Sequence, residues 1–293
     1  MILGSIEAGG TKFVCGIGNE NGEVIERISL PTRTPNETMP EVIAFFQKYR
    51  VDAIGIGTFG PIDINKSSST YGYILNTPKL AWQHYPLLQV VKEALPVPIR
   101  FTTDVNAAAL GEYQFGAAKD LKSCLYITIG TGIGAGAVLN GALLEGLSHP
   151  EMGHILVRRH PEDSFEGCCP FHKDCFEGLA AGPAIEQRWG KKGVDLSDRR
   201  DVWELEAFYI AQSLVQYIMI LVPEKIMIGG GVAHQASIFP LVRDNVKTLV
   251  SGYFHQKELN EHIDDYIVPP SLKDNAGLVG GFVLAKEALD EAK

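Results

Sequence analysis

The sequence predicts an α/β protein, and three observations carry that prediction. Strand-like runs alternate with helix-period segments along most of the 293 residues. An order of strand, Gly-Thr turn, strand, Asn-Gly turn, strand occurs twice, once at the start and again at 123–144. Hydrophobic residues make up 45% of the chain, enough to fill one large or two ordinary domains.

The first unit opens with "ILGSIEA", "KFVCGIG" and "EVIERISL", and Asn21-Gly22 supplies the hairpin signal between the last two. Helical periodicity follows at 36–50, where Val42, Phe45, Phe46 and Tyr49 share a stripe. The strand "VDAIGIG" comes next, then helical patterns at 86–95 and 105–116. The second unit reads "CLYITIG", a glycine turn, "GAGAVL", Asn140-Gly141 and "ALL". It continues with a long helix over about 201–222, the strand "KIMIGGG", a helix near 236–250, the strand "YIVPP" and a closing helix over about 276–290. The repeat sets the main boundary near residue 118. It gives an N-terminal domain of 1–118, which the closing helix (about 276–293) is expected to join, and a C-terminal domain of 119–275.

A net charge of −9 leaves no basic stripe to neutralise phosphates, so no nucleic-acid partner is expected. No membrane association is expected either: "YIMILV" at 217–222 ends at Pro223, far short of the ~18 to 20 apolar residues a span needs. "MILGSIEAGG" lacks the basic start and cleavage site of a signal peptide, which points to the cytoplasm. There a cysteine cluster more often binds metal than forms disulfides. "GCCPFHKDCFEG" at 167–178 is such a cluster, and Cys169-x2-His172-x2-Cys175 offers three zinc ligands at workable spacing.

The glycines narrow the chemistry. "GIGTFG" at 55–60 has the spelling of a dinucleotide fingerprint, but Pro61 and a loop follow where a helix should open. The Walker A spelling is absent. Three clusters remain, "EAGGTK" at 7–12, "GTGIGAG" at 130–136 and "GGG" at 229–231, and each follows a strand. Each reads singly as a tight turn. Jointly, two Gly-Thr turns in duplicated positions can present backbone N–H groups to one phosphate chain from opposite sides of a cleft.

"EAGGTK", "TDVNAAALGE", "GTGIGAG", "HPEMGH" with the Cys/His cluster, and "GGG" together resemble the successive motifs of the ROK family of repressors and sugar kinases. "IEAGGTKF" and "SHPEMGH" are most similar to its bacterial fructokinase branch. The resemblance covers nearly the whole chain. It implies a two-domain, actin-like (ribonuclease-H-like) ATPase fold with a duplicated core, and ATP and a hexose in the inter-domain cleft. It further implies magnesium with the nucleotide and a homodimer. Family repressors carry a helix-turn-helix segment ahead of the first strand, whereas here the first strand begins at residue 2.

Residue by residue, the resemblance makes Asp104 the general base that accepts the sugar hydroxyl proton. An Asp ahead of an Ala-rich helix also reads as an N-cap, and the two roles can coexist. The helix start is then expected to keep the carboxylate ionised. The phosphate set is Gly10, Thr11, Lys12, Gly130, Thr131 and Gly132, and Gly229, Gly230 and Gly231 lie against the nucleoside. The hexose set is Glu151, His154, Glu177 and Thr103. Glu7 stands where many members have Asp, in the phosphate and magnesium region. His154 completes a structural zinc site with Cys169, His172 and Cys175, and Cys168 is left outside it. The expected activity is phosphorylation of D-fructose to fructose 6-phosphate. Glucose, mannose or N-acylmannosamine as substrate, or a sugar-sensing protein without turnover, are the alternatives.

Overall fold

The structure, a computed structural model, describes residues 1–293. β1 (Leu3–Ala8), β2 (Lys12–Gly18), β3 (Val24–Pro31), β4 (Ala53–Thr58) and β5 (Ile99–Thr103) form one sheet in the order β3-β2-β1-β4-β5. β6 (Ser123–Ile129), β7 (Ile133–Leu139), β8 (Ala142–Leu143), β9 (Ile226–Gly229) and β10 (Ile267–Val268) form a second sheet in the order β10-β9-β6-β7-β8. Read from the other edge, the second order matches the first strand for strand. In both sheets the first three strands pair antiparallel and the last two run parallel to the first. This is the duplicated, actin-like arrangement that the motifs imply.

Central strands covered on both faces read as unbroken small and apolar runs, and β4, "AIGIGT", is buried at every position. The edge strand β3 is mostly exposed. The turn between β7 and β8 has Asn140 at φ 51° and Gly141 at φ 81°, the paired positive φ of a tight hairpin turn. β5 has no clear sequence signal: "IRFTT" is short and carries Arg100, and it becomes a strand by pairing with β4.

The helices are α1 (Pro35–Phe46), α2 (Leu87–Ala94), α3 (Asp104–Phe115), α4 (Phe176–Ala180), α5 (Gly182–Trp189), α6 (Arg200–Leu221), α7 (Ile238–Val250), α8 (Lys257–Asn260), α9 (Ile263–Tyr266) and α10 (Ala276–Glu291). α1 ends four residues earlier than its periodicity predicts. α4 and α5 are too short to show a period. α1 and α2 bury Val42, Phe46, Leu88 and Val91 with Ile6, Phe13 and Ile56 of the first sheet. α6 and α7 bury Leu214, Ile218, Val242 and Val246 with Leu125, Ile127 and Ile228 of the second.

α3 and α10 cross at backbone contact. A Cβ on Gly280 would land on the Ala107 carbonyl, and one on Gly111 would press on that of Ala276. α10 also packs Leu278, Phe282 and Ala285 on Leu3, Val14 and Ala53 of the first sheet. The crossing fixes the start of α3, and with it Asp104, between the sheets.

Candidate active site

A cleft of about 540 Å³ opens at the ends of β1, β6 and β9, and Glu7, Lys12, Asp104 and Gly229–Gly231 line it. Asp104 is the first helical residue of α3, and its Oδ1 accepts the Val105 amide at 2.9 Å. The N-cap is Thr103, whose Oγ1 accepts the Asn106 amide at 3.2 Å. The capping role therefore belongs to Thr103. Thr103 is also buried, and its hydroxyl, which accepts in the cap, keeps its own proton to donate beside Asp104. Burial raises the Asp104 carboxyl to about 6, and Glu151 adds to the effect. The helix start, expected to keep the group ionised, is outweighed by desolvation.

Glu7 sits one residue before the end of β1. Burial raises it to about 7, with Asp104 contributing and Lys12 opposing. Its Oε2 is buried without a hydrogen-bond partner. An acid held this way fits a cation-linked role, because a divalent ion or its water would supply the missing partner.

The two Gly-Thr turns keep donors in reserve. In the first, the Gly9 amide bonds Lys12 O, and Thr32 braces the carbonyls of Gly9 and Thr11, while the amides of Gly10 and Thr11 donate to no protein group. In the second, the Gly130 amide bonds Gly132 O, and the amides of Thr131 and Gly132 stay free. Both threonines are exposed. Four free amides can serve an anion without a P-loop, although of the two turns and the residue after the first, only Lys12 is among the residues that line the cleft. In the "GGG" stretch the glycines differ. Gly230, at φ 85°, would clash with Ile129 backbone if it bore a side chain, whereas a Cβ on Gly231 would meet open space.

His154, Cys169, His172 and Cys175 place one ligand atom each within 4.8 Å of the others. His154 Nδ1 is 3.7 Å from Cys169 Sγ and 3.5 Å from Cys175 Sγ, and Cys169 Sγ is 3.8 Å from His172 Nδ1. Zinc bonds of ordinary length at tetrahedral angles would set an N···S edge of about 3.6 Å, so the donors fit such an ion. Cys168 gives no atom to this set. His154 spends Nδ1 on the thiols, which leaves Nε2 for other use. Two residues after Cys175, Glu177 Oε2 accepts the Ile133 amide at 2.8 Å. Glu151 lies within electrostatic reach of both His154 and Glu177, and desolvation raises its carboxyl.

Two contacts are not legible from spacing, although His149 itself opens the "HPEMGH" motif. His149 is buried, and its Nε2 accepts the amide of Ile62 at 3.0 Å across 87 positions of sequence. Arg188 and Asp163 form a buried ion pair at 3.1 Å. Asp163 also accepts the Tyr209 hydroxyl at 2.6 Å, and Arg188 donates to the Leu179 carbonyl at 2.8 Å. Their signal is non-local pairing of common residue types, which spacing cannot reveal.

The model of the ROK family matches residues 3–288. A protein of Bacillus subtilis is 60% identical over 98% of this chain and 96% of its own. The fructokinase of Pediococcus pentosaceus is 47% identical over the full length of both. The crystal structure of the ROK hexokinase from Thermus thermophilus superposes with a TM-score of 0.81, at 25% identity, over 99% of this chain and 100% of that one. A duplicated fold, two Gly-Thr turns with free amides and an acid at the head of α3 thus meet a family match over nearly every residue, and the chain belongs to the ROK family.

Proposed function

We propose that the protein is an ATP-dependent hexose kinase whose preferred substrate is D-fructose, with fructose 6-phosphate and ADP as products. The observation that carries this reading is Asp104, an acid that is not the N-cap of its helix, lining one cleft with Lys12 and Gly229–Gly231. The fructokinase name of the Pediococcus relative, at 47% identity, favours fructose over the other hexoses. A base and two donor-rich turns favour turnover over sensing.

In this reading residues 1–118 with α10 form one lobe and 119–275 the other, with the cleft between them. Asp104 accepts the proton of the sugar hydroxyl as that oxygen attacks the γ-phosphorus. The bond from phosphorus to the bridging oxygen breaks and ADP leaves. Free amides of Gly10, Thr11, Thr131 and Gly132, with Lys12, hold the phosphates in line. Magnesium bound with the nucleotide would offset phosphate charge, and Glu7 is the acid placed to hold its water. Glu151, His154, Glu177 and Thr103 hold the hexose. Zinc on His154, Cys169, His172 and Cys175 is structural, because four protein ligands leave no open position. Three cysteines outside the metal set and two within it suit a cytoplasmic setting, and a homodimer is the expected assembly.

The test is ADP release by purified protein across fructose, glucose, mannose and N-acetylmannosamine. Fructose should give the highest kcat/KM, with product phosphorylated at the 6-position. ADP release with none of them would remove the kinase reading, and a clear preference for another hexose would replace the substrate.

A further inference from the structure

His149 joins two parts of the chain that belong to different sheets. It follows β8, two residues before Glu151, and its ring is buried against the turn that follows β4. The Ile62 amide, itself buried, donates to Nε2 at 3.0 Å. A Cβ on Gly60 would lie 3.4 Å from His149 Cε1 and 3.7 Å from Glu151 Oε1, so both side chains rest on the same turn. On its other side, Nδ1 lies 3.5 Å from Glu151 Oε1 and 3.5 Å from the Pro150 carbonyl.

We propose that His149 is a positioning residue that fastens the Glu151 segment of the second sheet's lobe to the Gly60–Ile62 turn of the first. This rests on the reading of Glu151 as a hexose ligand. A ring nitrogen that accepts an amide carries no proton, so the working form is the neutral tautomer with hydrogen on Nδ1, turned toward Glu151. Three acids lie within electrostatic reach of the ring: Asp104 from α3, Glu145 from the loop after β8, and Glu151, at 3.5 Å, from its own segment. Burial nevertheless lowers the His149 pKa, keeping the ring neutral at neutral pH. Protonation in acid converts Nε2 from acceptor to donor, sets it against the Ile62 amide and releases the clasp.

The experiment compares wild type with His149→Phe, His149→Gln and Glu151→Gln for hexose KM, ATP KM and kcat. Glutamine offers an amide oxygen at about the reach of Nε2 and does not titrate. His149→Phe should raise hexose KM about tenfold, the effect of one buried hydrogen bond left unmade, with ATP KM within about twofold. His149→Gln should recover most of that loss. Lowering pH should raise hexose KM in wild type, and part of that rise should vanish in His149→Gln. Should His149→Phe not fold, the pH comparison decides alone. An unchanged hexose KM in His149→Phe overturns the proposal, as does an equal rise in both KM values without rescue by Gln. If Glu151→Gln raises hexose KM while His149→Phe does not, the clasp fails and the hexose site stands. If Glu151→Gln has no effect, the reading of Glu151 fails and the proposal falls with it.

Discussion

Glu177 Oε2 accepts the Ile133 amide at 2.8 Å, and this bond ties the helix after the Cys/His cluster to the Gly-Thr turn that opens β7. On the proposed assignment of the two sides, the hexose side and the phosphate side therefore share a joint. Glu177→Ala should raise KM for both hexose and ATP, each by about tenfold, since one bond to a charged acceptor is lost at the turn as well as a ligand at the sugar. Steady-state kinetics with each substrate varied in turn checks this. A rise confined to hexose would mean that the Ile133 bond does not shape the turn.

Thr131 lies on the phosphate side of that joint and is exposed. Thr131→Val keeps the side-chain volume and deletes the hydroxyl. ATP KM should rise about tenfold, the scale of a hydrogen bond to a charged group, while hexose KM stays within about twofold. Equal loss of both would place the triphosphate elsewhere.

The zinc reading predicts about one zinc per chain by elemental analysis, the stoichiometry of a single four-ligand site. Chelation should abolish hexose binding and leave ATP binding largely intact. The reason lies in Arg188, which holds the Leu179 carbonyl of α4 and the buried Asp163 whether or not metal is present. Glu177 thus keeps its grip on Ile133 when the loop at 169–175 loosens. Cys175→Ser should reproduce the chelated state and Cys168→Ser should be nearly silent. Active protein without zinc would contradict the reading, as would Cys175→Ser with normal hexose affinity.

Much of this architecture is legible in the sequence, for a physical reason. Duplicated Gly-Thr and Asn-Gly turns constrain backbone locally, so β1 to β3 and β6 to β8 can be read from a few residues each. β5 cannot, because "IRFTT" owes its state to β4 beside it. The ligand quartet is legible because three of its members are close in sequence. The His149–Ile62 clasp and the Asp163–Arg188–Tyr209 group are not, since burial and long-range geometry make them. The cap lies one position before Asp104: two adjacent residues, Thr103 and Asp104, both have oxygen acceptors, and only backbone geometry decides which precedes the helix.

Asp104 also costs stability. Its pKa rises from 3.8 to about 6 on folding, so the folded state binds more protons than the unfolded state across that window, and stability falls as pH rises through it. Above pH about 6 the cost is fully present, on the order of 1–3 kcal/mol. Asp104→Asn should therefore raise the Tm at pH 7 to 8, with the gain fading as pH falls toward 4. Thermal melts across pH check this, and a lower Tm for Asp104→Asn at pH 7 would show that the charge is compensated in the fold.

The most direct test of the account is the turnover of Asp104→Asn. Thr103 remains as the cap, and the isosteric amide removes only the proton acceptor. Wild-type kcat/KM should fall on the acid side near pH 6, as Asp104 takes up its proton. At pH 8, Asp104→Asn should retain hexose affinity by calorimetry while kcat drops by about 10² to 10⁴, the contribution of a general base. Near-normal kcat in a variant that binds both substrates would contradict the assignment of Asp104 as the base.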